Sequence, residues 1–293
     1  MHHKLFHLPY THMLRLAKFG ILPKRFLKLR NDLPPCVSCM FGQAHRKPWR
    51  HKCSATKDGG TIRCRKRAKP GDMVYTDQLV SAQPGLVPQE KGSPTRARIW
   101  GATIFVDGQT DYTKVHLMHN ASGKSTLEAK AAFEQDARLR GIEIRGYHAD
   151  NGRYAEHIFR DDCEQKSQAL RYCGVGAHHQ NGIAEAKVKQ LTLASRTMLL
   201  HAQRHWPEYI TTALWPFALM AAADRINNLH IDIHGKSPEM KFSSVAGLPT
   251  RLKHFHTFGC PVYVLDARLQ DSGGGGPPKW EPRERLDILY SAK

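Results

Sequence analysis

Two acids bracket the stretch that most limits how this chain can fold. Asp150 stands in His148-Ala149-Asp150-Asn151-Gly152, at the end of an apolar-alternating run, and Glu185 closes Gln180-Asn181-Gly182-Ile183-Ala184-Glu185, at the start of a long helical pattern. Asn-Gly follows the first acid and precedes the second. Both residue types tolerate positive φ, so each pair marks a sharp turn. Asp150 is therefore expected where a strand ends, and Glu185 in the first turn of a helix. A third carboxylate, Asp77, lies inside the strand-like run Met73-Val74-Tyr75-Thr76-Asp77-Gln78-Leu79. Three carboxylates on separate elements offer the hard oxygen ligands needed by two Mg²⁺ or Mn²⁺ ions about 3.5–4 Å apart in a phosphoryl-transfer site. Any one of them alone is an ordinary solvated acid. Asp72 and Asp107 compete for the place of Asp77, and Asp107 reads as a structural turn residue.

The charge balance narrows the partners. Lys and Arg number 44 against 26 Asp and Glu, a formal net charge of +18. Such an excess points to a polyanion: DNA, RNA or an acidic membrane surface. Within residues 1–70 only Asp32 and Asp58 oppose a dense set of cations. Residues 43–70 hold the tightest clusters, among them Arg65, Lys66 and Arg67, and read as a linker that tracks phosphates or serves as a nuclear import signal. The longest apolar run, Ala213 to Ala223, is too short to span a bilayer, and the first 30 residues lack the apolar core of a signal peptide. Seven cysteines, two of them in a C-x-x-C pair, suit a reducing compartment and metal ligation better than a disulfide framework. The expected location is the nucleus and cytoplasm.

That C-x-x-C pair, Cys36 and Cys39, follows His7 and His12 with 23 residues between the two pairs. Two imidazoles and two thiolates suit one closed tetrahedral zinc site. Pro9 lies between the histidines and would disturb a helix there. His2, His3, His51, Cys53 and Cys64 are further candidate ligands.

From Pro70 the pattern becomes regular. Strands are predicted over 73–79, 99–106 and 112–118, with a Gly/Pro/Gln-rich loop at 81–95 and a turn at 107–111. A helix capped by Ser122 is predicted to about Arg140, with Leu127, Ala131 and Ala132 on its apolar side. A fourth strand over 143–147, a helix over 154–172 with Ile158 and Phe159 buried, and a short strand near Val175 follow; Asp161, Asp162 and Glu164 are expected to be solvated. In the helix from Gly182, Ala184, Val188, Leu191, Ser195 and Met198 form a core stripe. Glu185, Lys189, Thr192 and Arg196 form the adjoining one, which suits a nucleic-acid backbone lying along it, although Glu185 with Lys189 is also an ordinary i,i+4 pair. A helix over 208–229, kinked at Pro216, and two terminal strands near 260–265 and 286–290 complete the pattern. Three strands, helix, strand, helix, strand, helix is the order of an RNase H-like α/β core: a five-stranded mixed sheet flanked by helices, with the first and fourth strands adjacent.

The motifs Tyr75-Thr76-Asp77-Gln78-Leu79, His148-Ala149-Asp150-Asn151-Gly152 and His178-His179-Gln180-Asn181-Gly182-Ile183-Ala184-Glu185 resemble those of copia-type retrotransposon integrases. The 35 positions from Asp150 to Glu185 suit that family's D,D-35-E pattern. The His/Cys order resembles the zinc-binding segment that precedes such cores. The resemblance implies a zinc segment over 1–55, a basic linker over 56–70, a catalytic core over 71–241 and a partial β module over 250–293, with both ends of the chain expected to be clipped. It implies a polynucleotidyl transferase that inserts element DNA into host DNA. Asp77, Asp150 and Glu185 would hold two Mg²⁺ or Mn²⁺ ions, one zinc would be structural, and Lys189, Arg196 and the basic linker would contact DNA. Self-association is also implied, and no membrane partner. The alternatives are a truncated, inactive nucleic-acid-binding remnant, or a nuclease that cuts without joining.

Overall fold

The computed structural model describes residues 1–28, 35–44, 69–88, 95–150, 152, 154, 156–173, 181–244, 252, 255–265, 269, 280 and 284–289. Strands β1 (Val74–Gly85), β2 (Ile99–Asp107) and β3 (Thr113–Met118) form an antiparallel meander. Helix α3 (Gly123–Leu139) then crosses to β4 (Gly146–Ala149), and α4 (His157–Gln165) crosses to β5 (Ala169–Tyr172). Both late strands run parallel to β1, giving the order β3-β2-β1-β4-β5. This is the expected five-stranded mixed sheet flanked by helices, and its first and fourth strands are neighbours.

Period-2 alternation on β2 divides the core. Ala102, Ile104 and Val106 face one cluster, with α1 (Tyr10–Lys18), α5 (Gly182–His205) and α6 (Trp215–Leu229). Phe105 faces the other, with Phe133 of α3, Phe159 of α4 and Phe242 of the short α7 (Pro238–Ser243). A strand covered on both faces has to be apolar almost throughout, and in β2 only Trp100 is exposed. The remaining elements are α2 (Val37–Gly42) and an antiparallel pair, β6 (Cys260–Leu265) and β7 (Glu284–Leu289). Among the described residues no helix is long and apolar enough to cross a membrane.

Several elements depart from the sequence expectation for local reasons. β1 runs on through the predicted loop to Gly85. The indole of Trp215 donates to the Gln83 carbonyl at 3.1 Å, and the Leu86 amide donates to the Ala213 carbonyl at 2.8 Å, so contacts remote in sequence hold this stretch extended. The fourth strand lies slightly later than predicted. The helix expected over 154–172 divides: α4 ends at Gln165, Ser167 takes φ 53°, and the chain reverses into β5. The helix expected from Glu208 begins at Trp215, so Pro216 occupies its first turn, where no amide donor is needed, and introduces no kink. Ile158 is exposed while Phe159 is buried. The buried face of α3 is Thr126, Ala129, Lys130, Phe133 and Ala137, not the stripe through Leu127, Ala131 and Ala132. The strand near Val175 lies outside the described residues.

Candidate metal centres

The parallel pairing of β1 with β4 sets Val74 opposite Tyr147 and Tyr75 opposite His148. Asp77 lies two residues further along β1, and Asp150 two residues beyond His148, one past the end of β4. The pairing thus brings the β1 segment before Asp77 alongside the β4 segment before Asp150. Asp77, Asp150 and Glu185 do not form a close ligand group here; among the described residues the one such group lies elsewhere. The Asp77 carboxylate accepts the Gln78 amide at 2.8 Å, and Asp150, just past β4, accepts the Gly152 amide at 3.3 Å.

Glu185 comes from α5, and a single contact fixes where that helix begins. The side-chain amide of Asn181 makes no cap for α5; it donates to the carbonyl of Thr76 at 3.0 Å, in the residue before Asp77. Glu185 lies in the first turn that follows, exposed.

Two buried side chains sense this gathering of charge. Cys173, at the end of β5, has its thiol pushed up by burial first, and then by Asp150, Glu185 and Asp77. The Tyr154 hydroxyl is raised by burial; a hydrogen bond with Thr76 opposes this, and Asp77 and Asp150 add to it. Three carboxylates from a strand, a strand end and a helix thus act on one thiol. Neither Cys173 nor Tyr154 was singled out from sequence, where nothing distinguishes them from other small or aromatic core residues. Asp107 is structural, as expected: fully buried, it accepts the Gly71 amide at 2.8 Å and both the amide and hydroxyl of Thr110.

The second centre is tighter. Among the described residues, only His2, His7, Cys36 and Cys39 form a group of potential metal ligands whose donor atoms all lie within 4.8 Å of one another. His7 Nδ1 is 3.5 Å from each sulfur, and His2 Nε2 is 3.3 Å from Cys39 Sγ. Zn–S and Zn–N bonds of about 2.3 and 2.0–2.1 Å at a tetrahedral angle require nitrogen–sulfur edges of about 3.6 Å. The four residues therefore fit zinc in donor type and in spacing. Cys36 caps α2 and Cys39 sits one turn on, which aims both sulfurs to one side. His2 Nδ1 donates to the Leu8 carbonyl at 2.9 Å, and this leaves the Nε2 lone pair free to ligate. Burial, assisted by the neighbouring imidazoles of His201, His2 and His3 and by Arg225, pulls His7 down to about 2, so it is a neutral ligand at any ordinary pH. Burial and the adjacent Cys36 push Cys39 up to about 12, so metal binding there must displace a proton.

His12 is not part of this set, which corrects the ligand assignment drawn from sequence. Pro9 caps α1 and the helix starts at Tyr10. His12 is carried round α1 and stacks on His230, ring centroids 4.2 Å apart. Before Pro9, Phe6 and His7 take φ of 51° and 58°, and the His7 amide donates to the His2 carbonyl at 2.9 Å. That reversal sets the His2 and His7 rings side by side. The chain offers the same H-x₄-H spacing twice, and the proline between His7 and His12 was the signal that selects the earlier pair. His51, Cys53 and Cys64 lie outside the described residues. Metal analysis is expected to find about one zinc per chain in the parent and in His12→Ala, and to find it lost in His2→Ala. Zinc retained by His2→Ala would reject this ligand set.

Lys189 and Arg196 are exposed on α5, on the stripe that begins at Glu185. Arg196 and Thr192 also line a groove of about 650 Å³ whose opposite wall is β1 from Gln78 to Gln83, with Trp215 at its end. Its lining begins at Gln78, the residue after Asp77, and Arg196 adds a cation to it. Arg65, Lys66 and Arg67 lie outside the described residues.

No family model matches this chain, and no curated protein matches it. Among solved structures, it is similar to the HTLV-2 integrase catalytic core domain in complex with magnesium, at 15% identity and a TM-score of 0.41, covering 60% of this chain and 98% of that one. It is similar to a simian T-cell lymphotropic virus intasome chain, solved with PP2A regulatory subunit B56 gamma, at 13% identity and 0.46, covering 75% and 68%. It is similar to the BIV integrase catalytic core domain at 14% identity and 0.41, covering 59% and 95%. The magnesium and the PP2A subunit belong to those proteins.

Proposed function

We propose that this chain is a DNA-joining enzyme, a copia-type retrotransposon integrase that transfers an element's DNA end into target DNA. One observation supports the reading: β1 pairs in parallel with β4 just before Asp77 and Asp150, and both acids, with Glu185, bear on the thiol of Cys173. Asp77, Asp150 and Glu185 would hold two Mg²⁺ or Mn²⁺ ions through oxygen. Bound there, the pair supplies Lewis-acid activation of the attacking oxygen and charge stabilisation of the leaving one. The remaining work falls to the protein. Lys189 and Arg196 hold the phosphate backbone along α5, and the groove beside β1 gives the strand a path away from the acids. In hydrolysis a water oxygen attacks phosphorus in line and the 3′-oxygen leaves. In joining, the 3′-hydroxyl of the element attacks instead, losing its proton to solvent. The basic segment before the core adds sequence-independent affinity that weakens steeply with salt. Element ends, target DNA and further copies of the chain are the partners this reading requires.

The test is a strand-transfer assay with Mn²⁺ and a short duplex, comparing the parent with Asp150→Asn. The parent is expected to join strands and the variant to lose the product. Equal signals from both would reject the enzyme and favour a nucleic-acid-binding remnant. Cutting without joining in the parent would make the chain a nuclease.

A further inference from the structure

Arg225 lies on α6, and neither the sheet nor the proposed reaction uses it. Its side chain is only 5% exposed. Nη1 donates to the Phe6 carbonyl at 2.8 Å, across 219 positions of sequence, and Nε is buried with no partner among the described residues. A buried guanidinium without a carboxylate is costly, several kcal/mol on the scale of buried ions.

The carbonyl that Arg225 holds belongs to an unusual piece of backbone. Phe6 and His7 are consecutive left-handed residues, and neither is glycine. Each costs about 1–2 kcal/mol relative to ordinary backbone, so the pair persists only where surrounding contacts impose it. The turn is closed internally by the Phe6 and His7 amides, which donate to the His3 and His2 carbonyls at 3.0 and 2.9 Å. From outside, the Phe6 ring packs edge-on against Phe255, and Arg225 grips the carbonyl. This conformation is what points His7 Nδ1 at both Cys36 and Cys39.

We infer that Arg225 is a positioning residue of the His2–His7–Cys36–Cys39 centre, holding the left-handed turn that aims His7 at the two sulfurs. This rests on the metal-centre reading above. One side chain from the core thus supplies the shape that the amino-terminal ligands need.

The full-length protein can be titrated with Co²⁺, following the thiolate-to-metal absorption, and its zinc affinity measured by chelator competition. Arg225→Met keeps length and loses donor and charge; its zinc affinity is expected to fall about 10- to 100-fold, as for lost supporting contacts around metal ligands. Arg225→Lys keeps a charge and a donor and is expected to recover most of that loss. A Met variant within about twofold of the parent, or a Lys variant as weak as Met, overturns the inference, since a change of one decade is the least the supporting role predicts. If Arg225→Met does not fold, the parent decides. Its guanidinium proton resonances should shift between the Zn²⁺ and paramagnetic Co²⁺ forms, and unmoved resonances overturn the inference. No thiolate absorption in the parent would instead remove the metal centre itself, a distinct failure.

Discussion

Asp77→Asn is expected to lower Mn²⁺-dependent strand transfer by about a thousandfold or more, with the fold intact. The amide keeps the oxygen that accepts the Gln78 amide, so β1 has no reason to shift. It loses the charge and half of the oxygen donors a divalent cation would use. Removing a metal ligand forfeits several kcal/mol of transition-state stabilisation, and about 4 kcal/mol corresponds to three decades in rate. Glu185→Gln should behave alike, because that carboxylate is exposed on α5 and supports no packing. Asp107→Asn is the contrasting control. Its carboxylate is spent on Gly71 and Thr110, so its loss should show in thermal stability rather than in chemistry. If Asp77→Asn kept more than about a tenth of the parent rate, far short of the loss a metal ligand implies, the two-cation reading would be untenable.

Lys130→Met is expected to destabilise the fold by about 3 kcal/mol, the low end for breaking a buried ion pair. Lys130 is fully buried on α3, and its three donors are all used: Glu134 at 2.7 Å, Gln168 at 2.6 Å, and Asp162. It also lies over the Tyr147 ring, 5.2 Å from the centroid. Removing it leaves Glu134 and Asp162 facing one another, with only Lys166 bridging them at 2.9 and 3.0 Å, and that remaining cation is why the low end applies. Urea unfolding at neutral pH measures the loss, and a difference under about 1 kcal/mol would show that the network is optional. The effect should depend on pH. Burial pushes Glu134 and Asp162 up, but the lysine contacts outweigh it and hold both below the ordinary carboxylate range. Groups depressed in the folded state stabilise it above their unfolded pKa and stop doing so as pH falls through the folded value. Parent and variant should therefore converge in acid.

The sequence made the sheet legible because it rests on local rules. Alternation marks β1 and β2, Ser122 announces α3, and Asn181-Gly182 announces α5; the Ser122 hydroxyl does accept the Ser125 amide at 3.2 Å. What was not legible depends on partners far along the chain. Nothing in the sequence singles out Lys130 on α3, and its partner Asp162 on α4 was itself expected in solvent. The extension of β1 is held by Trp215 and Ala213, more than a hundred residues away. His2 stood only among the further candidate ligands, because its place depends on a backbone reversal that neither Phe6 nor His7 advertises.

The first of the two hydrophobic clusters has a wider consequence. Leu5, Phe6, Leu8, Met13, Leu16 and Leu22 share it with Leu191, Met198 and Leu219. The basic stretch that divides the chain by composition does not divide its interior. The helix that presents Glu185 thus leans, along its later turns, on the same oily filling as the cysteine-and-histidine knot. A disturbance at either end is felt as a loss of support at the other, without any messenger passing between them.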